Sequence, residues 1–337
     1  MITVVTGASG HIGANLVRAL LDRGRSVRVL AHKNIEALAG LNVEFVPGDI
    51  RNPASLSSAF QGADIVYHLA ARISISMDER PLLEEINVGG TRNVVEACLR
   101  TGVKRLIHFS SIHALVQMPL DVPVDEARPW VAPENSTPYG LSKAESEREV
   151  WRGIERGLDA VIINPTAIIG PYDYQPSFFG QVLIALANRK LPALVSAGFD
   201  WVDARDVADG AISAELIAPR GGRYLLSGHW VSLCDVGAVV ESITGISSPG
   251  FVCPLWLARL GVPFIALLSA IGGKPALYTS ASIQALSSNV NISHGLAARD
   301  LGYHPRPFGE TISDTLSWFY LNGQLKYPLV TECADTL

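Results

Sequence analysis

Met1-Ile2-Thr3-Val4-Val5-Thr6-Gly7-Ala8-Ser9-Gly10-His11-Ile12-Gly13 opens the chain. Ile2 to Val5 is a short apolar run and reads as a buried strand. Gly7, Gly10 and Gly13 follow with the spacing G-x-x-G-x-x-G, and Ile12 to Leu21 runs apolar at helical period. Strand, tight turn and helix in that order leave free N–H groups and a positive dipole end at the turn. A phosphate can approach there because glycine carries no side chain to stand in its way. The stretch predicts a dinucleotide with its pyrophosphate on Gly7, Ser9, Gly10, His11, Ile12 and Gly13.

Outward from the turn, apolar strands alternate with helical segments. Strands are expected at Ser26 to Leu30, Val43 to Val46, Asp64 to Leu69, Leu106 to Ser110 and Asp159 to Asn164. Helices are expected from Pro53 to Phe60, Leu83 to Thr101 and Thr137 to Arg156. Ala70 to Pro81 has no period and reads as a loop. This alternation implies an α/β fold with a doubly wound parallel sheet, the Rossmann arrangement, and a smaller, mostly helical C-terminal substrate domain. The expected division is 1–165 for the dinucleotide-binding domain, with 205–245 returning to it. Residues 166–204 and 246–330 are left for the substrate-binding domain. Ligands bind where the strands end, and Asp49, Leu69-Ala70-Ala71, Ser110-Ser111 and Asn164-Pro165 all fall at strand ends.

The 337 residues are 48% hydrophobic and 18% charged, which describes a packed globular protein. Net charge is −5, and no Lys/Arg cluster resembles a nucleic-acid footprint. The four cysteines, Cys98, Cys234, Cys253 and Cys333, lack zinc spacing. They read as reduced thiols in a cytoplasmic protein with no metal site. Met1 leads directly into the first strand, which reads as the absence of a signal peptide. Leu255 to Ile271 is strongly apolar but holds Arg259 and Pro263. Its uncharged part falls short of the roughly 20 residues a membrane span needs. No transmembrane segment is expected, and peripheral membrane contact stays open.

Tyr139-Gly140-Leu141-Ser142-Lys143 places a phenol and an ammonium four residues apart, on one face of a helix. The ammonium favours the phenolate, so Lys143 is expected to lower the Tyr139 pKa. Such a tyrosine can give a proton to a carbonyl oxygen or take one from an alcohol. Ser111, at the end of the fifth strand, can hydrogen-bond the same oxygen.

On these residues the chain resembles the extended short-chain dehydrogenase/reductase family, also described as the NAD-dependent epimerase/dehydratase family. The likeness runs through Gly7-Gly10-Gly13, Gly48-Asp49, His68-Leu69-Ala70-Ala71, Asn87-Val88-Gly89-Gly90-Thr91, Ser110-Ser111, Tyr139 to Lys143, Asn164-Pro165, Trp201 to Ala208 and Leu301 to Pro305. The resemblance implies that Asp49 and Ile50 contact adenine and that Leu69, Ala70 and Ala71 line the cofactor channel. It implies that Asn87 and Ser110 support the cofactor site, that Ser111, Tyr139 and Lys143 form the catalytic trio, and that Pro165 packs on the nicotinamide. It also implies a homodimer built from the two long helices.

The end of the second strand selects the cofactor. A carboxylate there binds the ribose hydroxyls of NAD, but this chain has Ala31-His32-Lys33. Two potential cations predict NADP, with NAD as the second choice. For the reaction, the first expectation is hydride transfer between nicotinamide and a ketone or secondary alcohol of a fairly apolar small-molecule substrate. This resembles the dihydroflavonol-reductase-like and 3β-hydroxysteroid-dehydrogenase-like branches, with Phe178, Phe179, Trp201, Trp256 and Phe264 as candidate pocket walls. The alternative is a nucleotide-sugar epimerase or dehydratase. Such enzymes commonly carry an arginine just before the segment equivalent to Trp201-Val202-Asp203, where this chain has Ala197 to Asp200. A non-catalytic regulator on the same fold ranks last, because the tyrosine and lysine are both present.

Overall fold

The computed structural model describes residues 1–32, 35–74, 76–257 and 288–330. The strands are β1 (Ile2–Thr6), β2 (Ser26–Ala31), β3 (Glu44–Pro47), β4 (Ile65–His68), β5 (Arg105–Phe109), β6 (Ala160–Pro165), β7 (Ala167–Ile169), β8 (Leu194–Val195), β9 (Gly198–Asp203), β10 (Arg223–Leu226), β11 (His229–Ser232) and β12 (Val252–Cys253). Seven of them form one sheet in the order β10-β6-β5-β4-β1-β2-β3, and every pairing is parallel. Every residue of β4 and of β6 is buried, as central parallel strands require.

Strand alternation sends neighbouring side chains to opposite faces. Val4, Val66, Leu106 and Ile162 pack with residues of the helices Pro53–Phe60, Gly90–Thr101 and Pro138–Glu155. Val5, Tyr67, Ile107 and Ile163 pack with residues of the helices His11–Asp22, Ala204–Ile217 and Gly295–Leu301. The sheet is therefore covered on both faces. The strand order changes direction between β1 and β4, and that switch point is where doubly wound folds bind ligands. β10 joins the sheet beside β6, so chain beyond residue 217 returns to the main layer.

The remaining chain builds a smaller unit. Its core includes Leu183, Val195, Trp201, Val240, Leu316 and Phe319, from the helices Phe178–Ala187, Leu233–Thr244 and Phe308–Leu321 and the strands beside them. Two small sheets, β11-β9-β7 and β12-β8, accompany these helices. Of these strands the sequence predicts only a short extended segment at Phe199 to Val202, which lies within β9. Strands of two to four residues are too short to show a hydrophobic period.

One helix differs in kind from its expectation. In place of a single helix from Leu83, a short turn of helix at Arg80–Leu83 leads into π-helix at Glu84–Gly89, then α-helix at Gly90–Thr101. The wider π turn surrounds Asn87, and such bulges concentrate at functional sites. Among the described residues no helix is long and apolar enough to cross a membrane. Phe264, Lys33, Cys333 and most of Leu255 to Ile271 lie outside the described residues.

Candidate active site

The glycine turn is shaped by absent side chains. Gly7 has φ of +71°, and a Cβ on it would stand 2.5 Å from the Ala70 nitrogen. A Cβ on Gly13 would stand 2.2 Å from the Gly7 carbonyl oxygen. These two positions let the helix start, the end of β1 and the Leu69-Ala70 segment after β4 touch one another. The Gly10 N–H donates to the Gly7 oxygen at 3.0 Å and closes the turn. The helix His11–Asp22 has no side-chain cap and no acidic residue in its first turn. Its positive end is thus unneutralised, which fits a bound pyrophosphate. Ser9 is half-buried at this turn, while the Ile12 side chain packs on the core.

His11 departs from expectation. Its Nε2 lies 3.0 Å from the Gly170 oxygen and 3.1 Å from that of Pro171, and its Nδ1 is 3.9 Å from Asp173 Oδ1. Through Nε2 the ring therefore ties the glycine turn to the loop after β7, while Nδ1 has no hydrogen-bond partner.

At the adenine end, Asp49 is held by Arg51. Arg51 Nη2 donates to Asp49 Oδ2 at 2.6 Å, and the guanidinium holds the carboxyl well down, at about 2. His32 Nε2 is 3.2 Å from the same Oδ2, and Arg51 Nη1 is 3.0 Å from Glu85 Oε1. The Ile50 side chain is turned into the core, where a Cβ on Gly90 would come within 2.5 Å of its Cδ1. An adenine contact by Ile50 is thus restricted to its backbone.

The chemical cluster sits at the ends of β4, β5 and β6. Tyr139 lies beside Ser111, whose hydroxyl accepts from the His113 N–H at 3.2 Å. Thr137 caps the helix Pro138–Glu155 by accepting from the Gly140 N–H, and this fixes Tyr139 in the first turn. Burial pushes the phenol up to about 12, and Ser111 partly offsets it. Lys143 does not lower the phenol as expected, because its ammonium is engaged elsewhere. It is buried, donates to the Phe109 carbonyl oxygen at 2.6 Å, and is pushed down to about 8 by burial, with Glu147 acting the other way.

Asn87 is fully used by the chain. Its Oδ1 accepts from the Arg72 N–H at 2.8 Å, and its Nδ2 donates to the Arg72 oxygen at 3.0 Å and to Ser142 Oγ at 2.9 Å. With its amide saturated, Asn87 positions the Arg72 loop against the catalytic helix and has no donor left for a cofactor. Ser110 Oγ is buried and has no hydrogen-bond partner, so it stays open to a ligand. Pro165 is buried at the end of β6, and Ala71 is exposed just past β4.

Several polar residues escaped the sequence reading. His68 bonds Thr6 Oγ1 at 2.8 Å and Thr91 Oγ1 at 3.1 Å, and its ring lies 5.4 Å from that of His108. Glu147, Trp130 and Arg223 meet beneath Lys143. Only the four-residue step from Lys143 to Glu147 could have flagged this group, since Arg223 comes from a distant strand.

The comparisons with known proteins agree with this geometry. A model of the NAD dependent epimerase/dehydratase family matches residues 3–217. The chain is 36% identical to sterol demethylase protein B of Methylococcus capsulatus, over 96% of this chain and 100% of that protein. It is 31% identical to a putative dihydroflavonol 4-reductase of Synechocystis, over 96% and 95% respectively. Among solved structures, gox2253 superposes with a TM-score of 0.85 at 32% identity, covering 96% of this chain and 99% of that one. UDP-glucuronic acid 4-epimerase from Bacillus cereus, in complex with UDP-glucuronic acid and NAD, gives 0.77 at 20% identity over 96% and 100%. UDP-glucose 4-epimerase from Thermus thermophilus, in complex with NAD, gives 0.75 at 24% identity over 95% and 99%.

These two epimerase structures share the fold and carry NAD, which overturns the expected preference for NADP. The physical reason is visible at β2. His32 faces the Asp49 carboxylate and Arg51 is divided between Asp49 and Glu85. Lys33, the second cation of that expectation, lies outside the described residues. With the glycine turn, the strand-end cluster and the family match in place, the chain belongs to the NAD-dependent epimerase/dehydratase family and is an enzyme of nicotinamide-linked hydride transfer.

Proposed function

We propose that this enzyme moves a hydride between NAD and a carbinol carbon of its substrate, with Tyr139 as the acid–base group. The observation that carries the reading is the placing of Tyr139, in the first turn of its helix, beside Ser111 at the end of β5, on the sheet that also bears the glycine turn. NAD, when bound, supplies the carbon that accepts or returns the hydride. Tyr139 takes the alcohol proton or gives it back, and Ser111 steadies the same oxygen. Lys143 holds the nicotinamide ribose. Gly7, Ser9, Gly10 and Gly13 hold the pyrophosphate. Asp49 marks the adenine end, while Leu69, Ala70, Ala71, Ser110 and Pro165 line the channel. Residues 1–165 and 205–245 serve the dinucleotide, and 166–204 and 246–330 serve the substrate.

The solved epimerases of this fold favour nucleotide-sugar epimerisation as the finer reading: the ketone formed on the enzyme is reduced again from its other face, and the cofactor is regenerated. The curated relatives at 36% and 31% identity favour a second reading, oxidoreduction of a fairly apolar ketone or alcohol. An observation at β9 supports it. Phe199 belongs to the Ala197 to Asp200 stretch, just before Trp201, near which nucleotide-sugar enzymes resembling this chain commonly carry arginine. Its ring packs edge-on against Phe179 at 4.8 Å and Trp201 at 5.4 Å. Arg205 is paired with Asp203 and Asp314, and Arg306 with Asp206, while Arg189 and Lys190 are the cations that could substitute for that arginine.

A panel with purified protein and NAD separates the two. UDP-glucose and UDP-glucuronic acid are analysed for isomers, while steroid and flavonoid ketones and alcohols are followed by nicotinamide absorbance. Sugar isomers without net cofactor turnover support epimerisation, and net turnover with an apolar substrate supports the second reading. Turnover undiminished in Tyr139→Phe would remove the common mechanism.

A further inference from the structure

Four residues beyond Lys143, the catalytic helix carries Glu147, whose side chain is fully buried. A carboxylate in such a place needs partners. Trp130 Nε1 donates to it at 2.7 Å, Asn164 Nδ2 donates at 2.6 Å, and Arg223 Nη2 stands 2.9 Å away. These partners come from the loop before the helix, from β6 and from β10. The Asn164 amide has a second task, since its Nδ2 also donates to the Ser111 carbonyl oxygen at 3.0 Å. One side chain thus joins the buried carboxylate to the backbone of Ser111, the residue beside Tyr139.

On its other side Glu147 acts on Lys143. The titratable groups that face this ammonium are His68 on β4, His108 on β5, and Glu147 on its own helix, with Tyr139 one turn earlier. Burial pushes His68 down to about 3 and holds His108 well below the usual imidazole range, so both imidazoles are neutral near pH 7. Glu147, one turn further along the same helix, is then the negative group among those facing Lys143, and its charge is shared with Arg223. A buried ion pair is often no more stabilising than apolar packing of the same volume. Stability alone therefore gives little reason for this arrangement.

We propose that Glu147 is a positioning residue, which through Asn164 and Arg223 fixes the place of Ser111 and the charge of Lys143 as one unit. This rests on the proposed roles of Ser111 and Lys143. Arg223 belongs to β10, so the strand that returns from the second half of the chain supplies the counter-charge for the catalytic helix. The two charges act on Lys143 in opposite directions. Without the carboxylate, the ammonium loses its proton more easily. Without Arg223, the carboxylate acts undivided and the ammonium keeps its proton longer.

The test follows NADH binding by fluorescence across roughly pH 6 to 10, a range that brackets lysine lowered by burial. It compares the wild type with Glu147→Gln, Arg223→Met and the milder Trp130→Phe, and thermal melting checks that each variant folds. The expected result is a midpoint for high-pH loss of binding about one pH unit lower in Glu147→Gln, and higher in Arg223→Met and Trp130→Phe. Should Glu147→Gln not fold, the upward shifts in the other two carry the test. An unchanged midpoint in every folded variant overturns this inference and leaves the proposed function standing. Wild-type protein that binds no NADH at any pH overturns the proposed function and this inference with it.

Discussion

The glycine turn and the catalytic cluster lie on one rim of the sheet but are built from opposite materials. The turn is made of backbone and missing atoms, with its tightest approach at Gly13 against the Gly7 oxygen. The cluster is made of side chains: the buried charges of Lys143 and Glu147, the partly buried Arg223, and the buried neutral pair His68 and His108. A backbone cradle holds its ligand in the same way at any ordinary pH, because it has nothing to titrate. A buried charged cluster changes with pH and fails when one charge is removed. Substitutions should therefore affect the two regions through different quantities.

The largest effect is expected in the cluster. Tyr139→Phe removes the acid–base group and should lower kcat by about 10²- to 10⁴-fold. NADH affinity, measured by fluorescence, should stay near the wild-type value, because the turn is untouched. Next comes Gly13→Ala, whose methyl would meet backbone at 2.2 Å and force the helix away from the turn. Overpacking of this kind costs about 1–3 kcal/mol, visible as a lowered melting temperature together with weakened NADH binding. Gly309→Ala is the contrast, since a Cβ there meets nothing within 4 Å, and its melting temperature should not fall.

A pH test sharpens the same comparison. Lys143 is lowered from 10.5 to about 8 in the folded protein. Between those values the unfolded chain binds the extra proton, so stability gains with rising pH across that window. Its burial penalty is fully present below about pH 8 and fades toward 10.5. Lys143→Met should therefore raise the melting temperature most below pH 8, with the gap to wild type closing at higher pH. A gap independent of pH would mean that the lysine is not destabilised by burial.

The smallest effect is expected at the adenine end. His32→Ala removes one half-exposed partner of Asp49 and should change NADH affinity by less than about 1 kcal/mol, as surface pairs do. NADH should bind more tightly than NADPH in both proteins, as comparative titrations would show.

Legibility followed the same division. The turn was readable because its signal is local: three glycines at fixed spacing between an apolar strand and an apolar helix. Tyr139 and Lys143 were readable for a similar reason, since four residues on a helix define a face. The misreadings came where a side chain's partner is distant in sequence. The His11 imidazole is claimed by the Gly170 and Pro171 carbonyls, and the Asn87 amide by Arg72 and Ser142. Residue type suggested availability in both cases, and packing removed it. His32 misled for the same reason, because its carboxylate partner Asp49 belongs to another strand end.

By itself the sequence determined the doubly wound sheet, the dinucleotide turn and the tyrosine–lysine face, since each depends on periodicity or spacing within about twenty residues. Tertiary structure alone decided which polar groups remain free to act. It closed β10 onto β6, brought Arg223 and Asn164 to Glu147, and placed that carboxylate beneath Lys143. The physical reason is that hydrogen bonds and buried charges are settled by whatever the fold brings within about 3 Å, and no local pattern records that.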